Sequence, residues 1–324
     1  ALAHASACEI SLASYAVSHL KVSLEMAEDL REKSRLPIYL GDTLGSKHPH
    51  VLEQMADPIS TEGAHADAVK YERNHNVLIG NPPYDRVESA GTGGFVTAVQ
   101  VGQSSSLFDD IFDDAKEHVI FSAHASLYNL YVYFWRWAIW KVFEANTGPG
   151  VVSMITAASW LDGPGFLGLR RLAREVADEI VVVDLHGDNK GTRKDENVFD
   201  IESPVAIVTL VRRGNGDRET PAQVLYADFR GTRAEKLKKL TDLADGKVTP
   251  DFSDASGGWH ASFVPQSGGA DWARYPRLVD LFPWQQPGAM ISRTWPVSPT
   301  VSVLEERWRS FVATSLPDER LLFF

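Results

Sequence analysis

Asn81, Pro82, Pro83 and Tyr84 place an amide, two rigid rings and a phenol directly after the apolar run Val77, Leu78, Ile79 and the flexible Gly80. This set suits one kind of chemistry. An exocyclic amine on a nucleobase is a poor nucleophile, because its lone pair is conjugated into the ring. Two acceptors can draw its N–H bonds out of plane and aim the lone pair at an electrophile. The Asn81 side chain offers one carbonyl and the Pro82 backbone another, and proline brings no competing N–H. Two prolines in a row stiffen the loop, so the acceptors are oriented before substrate arrives. Tyr84 offers a flat π-face on which an extruded base can stack.

Such a loop needs a scaffold. The first 214 residues alternate short apolar runs with helical patterns, the mark of an α/β fold. Strands are expected in ACEIS (7–11), LPIYLGDTL (36–44), NVLIG (76–80, read as buried), GVVSMIT (150–156), EIVVVDLHG (179–187) and SPVAIVTLVRR (203–213). Helices are expected over 12–32, 125–145 and 165–177. This order predicts a doubly wound, Rossmann-like sheet, with active residues at the carboxyl ends of strands. Asp42 and Asn81–Tyr84 stand at such ends. The stretches 45–75, 86–107 and 187–202 read as loops, GTGGF among them as a cover over the site. Residues 1–214 are expected as the core, 215–250 as a linker and 251–324 as the start of a second domain, rich in Gly, Pro and Trp.

The tetrapeptide resembles the catalytic motif of the S-adenosyl-L-methionine-dependent methyltransferases that act on adenine in DNA. It also occurs in enzymes that methylate protein glutamine or guanine in ribosomal RNA, and a Pro-rich turn after a strand would read the same. The following segments, LYNLYVYFWRWAIWKVF, GPGVVSMITAASWL, FLGLRRLARE and ESPVAIVTLVRR, keep the order of the later motifs of the adenine enzymes. EISLASYAVSHLK, DLHGDNKGTRKDENVFDI and YADFRGTRAEK resemble the methyltransferase segment of single-polypeptide, ATP-dependent (type ISP) restriction–modification enzymes. In those, a nuclease and a helicase precede the methyltransferase and a target-recognition domain follows it. The resemblance spans about residues 8–213 and implies double-stranded DNA as partner. It implies that Glu9 bonds the donor's ribose hydroxyls, though Glu9 also reads as a helix cap. Asp42 would meet the donor's adenine amine, and reads equally as a turn Asp. Phe199 would pack on the flipped base opposite Tyr84, or be a core Phe. The rival functional classes are a methyltransferase on protein glutamine or RNA, and a catalytically inactive DNA-recognition scaffold.

The remaining features constrain rather than identify. The 324 residues hold one cysteine, Cys8, so no disulfide forms within the chain and a reducing, cytoplasmic setting is expected. The longest apolar stretch, 127–143, is broken by Arg136 and Lys141 and is too short to span a bilayer comfortably. A net charge of −11 argues against the whole chain being a nonspecific nucleic-acid binder, but not against a local basic channel. Lys190, Arg193 and Lys194 could touch phosphate or simply be solvated. The acidic run Asp109, Asp110, Asp113, Asp114, Glu117, His118 has an Asp and a His at i, i+4, a spacing a metal site allows, but reads first as a solvated helix face. No metal is expected, since transfer from a sulfonium needs none. The Trp135, Trp137, Trp140 and Tyr131 set reads as a core stripe. The Gly-rich donor loop that the family carries upstream of the Glu9 strand is not found, which suggests truncation at both ends. Donor binding and independent folding by this chain are therefore open.

Overall fold

The structure is a computed structural model, and it describes residues 5–26, 35–46, 58–86, 93–99, 103–118, 125–187, 195–214, 219–266, 274–276, 278–282 and 295–314. β1 (Ala7–Glu9) passes through Ser11, whose hydroxyl accepts from the Ser14 N–H, into α1 (Leu12–Glu25). β2 (Ile38–Leu40) lies parallel to β1 with Ala7 opposite Ile38. α2 (Pro58–Asp67) widens into a π-turn at Ala68–Glu72 and leads to β3 (Val77–Gly80). α3 (Asp109–His118) and α4 (Leu130–Ile139), the latter widening over Trp140–Glu144, precede β4 (Gly150–Ala157). Then come α5 (Leu167–Val176), β5 (Glu179–His186), β6 (Val205–Arg212), β7 (Gln223–Asp228), α6 (Arg233–Ala244) and β8 (Ser253–Asp254).

Two sheets result among the described residues: β1-β2, and a six-stranded sheet in the order β3-β4-β6-β5-β7-β8. The larger sheet is mixed. β3 is parallel to β4 and β5 to β7, but β6 runs antiparallel between β4 and β5. Parallel pairing requires a long crossover, usually helical. No helix is described in the stretch between β5 and β6, and β6 returns antiparallel.

One large core packs α3, α4 and α5 against a sheet face, centred on Trp135, Trp160, Ile139, Val152, Ile180 and Val208, all fully buried. Truncating either tryptophan to alanine would cost about 3–5 kcal/mol. Gly168 lets α5 approach α3, since a Cβ there would come within 2.4 Å of the Ile111 carbonyl oxygen. The expectation that β3 is buried is corrected in part. Leu78 packs inward, but Val77 is 57% and Ile79 80% exposed. A strand reads apolar on both faces when both are to be covered, and one face of β3 lies bare here. The apolar side chains Leu12, Leu20 and Leu24 of α1 are likewise exposed.

The region 215–250, expected as a linker, contains β7 and α6. β7 pairs in register with β5 from Glu179–Gln223 to Asp184–Asp228, so it belongs to the sheet. The chain divides into two compact units, Ala1–Gln266 and Ser267–Phe324. The second contains α7 (Val301–Ala313), with Phe311 stacked on Trp295. No helix among the described residues is long and apolar enough to cross a membrane.

Candidate active site

The strand β3 ends at Gly80, and Asn81 to Tyr84 follow without regular structure. Asn81 and Pro83 are exposed, Pro82 is buried and Tyr84 half-buried. The Tyr84 hydroxyl lies 3.2 Å from both Asn81 Oδ1 and the Ile155 carbonyl, and its single proton is donated between them. The hydroxyl thus links the amide to the neighbouring strand β4. Burial pushes the Tyr84 hydroxyl up to about 12, so it remains a donor at any ordinary pH. The Tyr131 ring meets Tyr84 edge-on with centroids 6.5 Å apart. Beyond the loop the chain is pinned again, Leu130 N–H donating to the Asp85 carbonyl at 2.9 Å.

A cavity of ≈ 540 Å³ opens beside this loop, between β1 and β3. Glu9, Asp42, Asn81, Pro82 and Pro83 all line it. A wall of α4 contributes Leu130, Phe134, Trp137 and, from the following π-turn, Lys141, at successive helical turns. Glu9 Oε1 accepts from the N–H of Ser11, the N-cap residue of α1, at 2.9 Å. Asp42 Oδ1 accepts from the Leu44 N–H at 2.9 Å within a turn. Lys70 holds that turn from below, donating to the carbonyls of Asp42 (2.8 Å) and Gly45 (2.6 Å), and Lys141 donates to the Lys70 carbonyl. Burial lowers Lys141 to about 8 and raises the Cys8 thiol to about 11.

The cavity falls within the size range of small-ligand sites, roughly 300–1,000 Å³. Trp137, one of its lining residues, carries a buried Nε1 with no hydrogen-bond partner among the described residues. An orphaned donor of this kind is uncommon and costly unless something accepts from it. Two carboxylates, an unused donor and apolar walls fit S-adenosyl-L-methionine, which carries ribose hydroxyls, an adenine and an amino-acid end.

Phe199 is not in this cavity. It lines a separate cleft with Asn197, Ile201 and Arg233. Phe199 and Tyr84 nevertheless both pack against one small cluster of Val183, Leu185, Val198, Val205, Ala227 and Phe229. The backbone at Phe199 is held by Asn197 Oδ1 and, behind it, by a clamp. Lys236, fully buried, donates to the carbonyls of Leu185 and Glu196 and pairs with Asp195 at 3.1 Å. Asp195 also accepts from the N–H groups of Gly187 and Gly231, each at 2.9 Å. Burial would raise the Asp195 carboxyl, but these two N–H groups and the Lys236 ammonium outweigh it and hold it below its ordinary value. At the clamp's edge His186 adopts φ 49°, a left-handed backbone that costs roughly 1–3 kcal/mol in a non-glycine residue. Its Nε2 lies 2.7 Å from Asp228 Oδ1.

Sequence reading missed the clamp, because Asp195 and Lys236 are 41 positions apart and meet only through β7 and α6. Trp135 and Tyr131 are core as expected, and Trp137 packs against that core while also lining the cavity, the second role being the one sequence reading missed. Gly94 and Phe95 of the expected cover GTGGF (91–95) open a helical turn that runs to Thr97, with Phe95 and Val96 buried. Gly93 there has φ +74° and leaves no room for a Cβ beside Tyr133. Residues 91–92 of the cover, and Lys190, Arg193 and Lys194, lie outside the described residues. The acidic run is not merely solvated: Asp110 pairs with buried Arg136 at 2.8 Å and Asp114 with Arg171 at 2.9 Å.

A family model described as Eco57I restriction-modification methylase matches residues 7–190. No curated protein matches the chain. Among solved structures, the chain is similar to the ATP-dependent type ISP restriction-modification enzyme LlaBIII bound to DNA, with 21% identity, a TM-score of 0.62, and coverage of 82% of this chain and 18% of that one. It is also similar to a nuclease-deletion mutant of the type ISP restriction-modification enzyme LlaGI in complex with a DNA substrate mimic: 19% identity, TM-score 0.63, covering 98% and 27%. A DrdV–DNA complex matches at 21% identity and TM-score 0.58, covering 82% and 25%. At such identities the likeness is one of fold. The chain spans 18–27% of the length of these three proteins.

Proposed function

The chain belongs to the Eco57I restriction-modification methylase family, and from that premise we propose that it is the methyltransferase segment of a type ISP restriction–modification polypeptide, methylating the N6 amine of adenine in double-stranded DNA. The observation that carries this reading is the meeting of Asn81, Pro82, Glu9 and Asp42 around one cavity, with the Tyr84 hydroxyl tying Asn81 to β4.

S-adenosyl-L-methionine, when bound, supplies a methyl group on a positively charged sulfur. Glu9 accepts from the ribose hydroxyls and Asp42 from the donor's adenine amine, and Trp137 Nε1 is a donor available to the same ligand. Asn81 Oδ1 and the Pro82 carbonyl accept the two N–H groups of the target amine. That turns its lone pair out of the ring plane, toward the cavity, and orientation of this kind lowers the barrier without any change in acidity. Tyr84 and Phe199 flank the extruded base, and the Asp195–Lys236 clamp positions Phe199. The S–CH3 bond breaks as the N–CH3 bond forms, and the methylated amine then releases a proton, giving N6-methyladenine, S-adenosylhomocysteine and H⁺.

The Gly-rich donor loop belongs to the parent polypeptide, and β1 and β3, each with a strand partner on one side only among the described residues, leave open edges toward the strand that carries it. The second unit opens a target-recognition domain, the parent also holds nuclease and helicase regions, and the enzyme works in the cytoplasm.

The test is methyl transfer by the parent polypeptide from tritium-labelled donor to duplex DNA, RNA or protein. Label in DNA alone is expected. Label in RNA or protein alone would favour the other amine substrates. Absence of both transfer and donor binding would favour an inactive recognition scaffold.

A further inference from the structure

Asp114 and His118 lie one turn apart on α3, and His260 reaches them from a segment 142 residues later in the sequence. His260 Nε2 is 2.9 and 3.1 Å from the two Asp114 carboxylate oxygens. The rings of His118 and His260 stand 4.8 Å apart, inclined at 37°. One potential ligand atom from each residue lies within 4.8 Å of the other two. We infer that Asp114, His118 and His260 bind a divalent transition-metal ion of the zinc class, which clips the 259–263 segment to α3.

The donor set selects the ion. Two imidazoles and one carboxylate suit zinc and its neighbours, whereas calcium and magnesium prefer oxygen alone. In a tetrahedral zinc site with bonds of about 2.0–2.1 Å, ligand atoms are roughly 3.3 Å apart. The present spacing closes to that by rotation of His118, the exposed last residue of α3. Three protein ligands leave a fourth position for water.

The site is also held ready from behind. Arg171 Nε donates to Asp114 Oδ2 at 2.9 Å, the outer contact that orients a ligating carboxylate. The His118 Nδ1 lies 2.9 Å from the Asp114 carbonyl. The same nitrogen lies 3.6 Å from Asp114 Oδ1, and the ring rotation that seats the metal releases its contact with the carbonyl. The segment carrying His260 is fastened on both sides. Arg170 donates to the His260 carbonyl, and Arg174 to those of Trp259, Ala261 and Ser262. Phe263 is fully buried under the Arg174 guanidinium and against Trp160. When the metal binds, the proton that a neutral His260 shares with Asp114 moves to Nδ1 of the same ring, so no net proton is required. The segment ends at the boundary of the first unit, so the clip fixes the point where the chain leaves the methyltransferase core.

The test uses the full natural polypeptide and zinc or cobalt(II) as the probe. Wild type should retain one more equivalent of zinc after dialysis than either His118→Ala or His260→Asn, and its cobalt form should show a visible ligand-field band that both variants lose. Affinity should fall about tenfold or more in each. A second measurement needs no variant: zinc should protect His118 and His260 of the wild type from diethyl pyrocarbonate, read by peptide mass spectrometry. Equal zinc content in wild type and both folded variants, or unchanged modification rates with zinc present, would overturn the inference.

Discussion

Tyr84 has two separable contributions, and substitution can divide them. Tyr84→Phe keeps the ring and removes the hydroxyl that lies 3.2 Å from both Asn81 Oδ1 and the Ile155 carbonyl. One proton serves two acceptors, so the loss is that of a single neutral hydrogen bond, about 0.5–1.5 kcal/mol. If it is expressed in the transition state, through a looser Asn81, kcat falls about 2- to 13-fold with little change in KM for DNA. Tyr84→Ala also removes the stacking face, a further loss of about 1–3 kcal/mol, or roughly 5- to 160-fold. The assay is single-turnover methyl transfer to a duplex with one target site. A 2-aminopurine at the target reports extrusion separately by fluorescence. Because burial pushes the hydroxyl up to about 12, the ratio of Phe to wild-type rates should be flat across roughly pH 6 to 9. Alanine matching phenylalanine in both rate and extrusion would refute the stacking role. Phenylalanine matching wild type would refute the hydroxyl's hold on Asn81.

Two further predictions follow from buried and cavity-lining charges. Lys236→Met strands Asp195 and should lower stability by about 3–5 kcal/mol in urea unfolding. The Asp195 carboxyl is held below its ordinary 3.8 in the folded chain, so its stabilising contribution is fully present above 3.8 and is lost as pH falls further, through the lower folded-state value. The variant should therefore show a weaker stability loss than wild type below about pH 4; an unchanged urea midpoint at neutral pH would count against the clamp. Glu9→Gln should weaken donor binding by about 1–3 kcal/mol, or roughly 5- to 150-fold, by calorimetry on the parent polypeptide, with its melting temperature unchanged. Unaltered affinity would return Glu9 to its contact with Ser11 alone.

Much of the fold could be read from local pattern. β4, β5 and β6 are long enough for their apolar runs to show, and β3 ends at Gly80 where composition put it, while β1 and β2 stop at Glu9 and Leu40, inside the runs 7–11 and 36–44. β7 escaped notice because QVLYAD is short and follows a polar, Gly-containing stretch. The bare face of β3 was not legible either, since an apolar strand looks the same whether or not its cover is present. In the site, the chemistry of Asn81–Tyr84 is local and could be argued from residue types. The placement of Lys70, Lys141 and Trp137 around the cavity, and the meeting of Asp195 with Lys236, arise from pairings between distant segments. His260 is the extreme case. Nothing near it in sequence announces a partner 146 positions away on α3.

The central claim is that Asn81 orients an adenine amine for methylation. The direct measurement is nucleoside mass spectrometry of DNA from a methylation-free host expressing the parent gene, beside its Asn81→Ala version. N6-methyladenine with the unmutated gene alone is the predicted result. A methylated base other than N6-methyladenine, or equal N6-methyladenine in both strains, would contradict it.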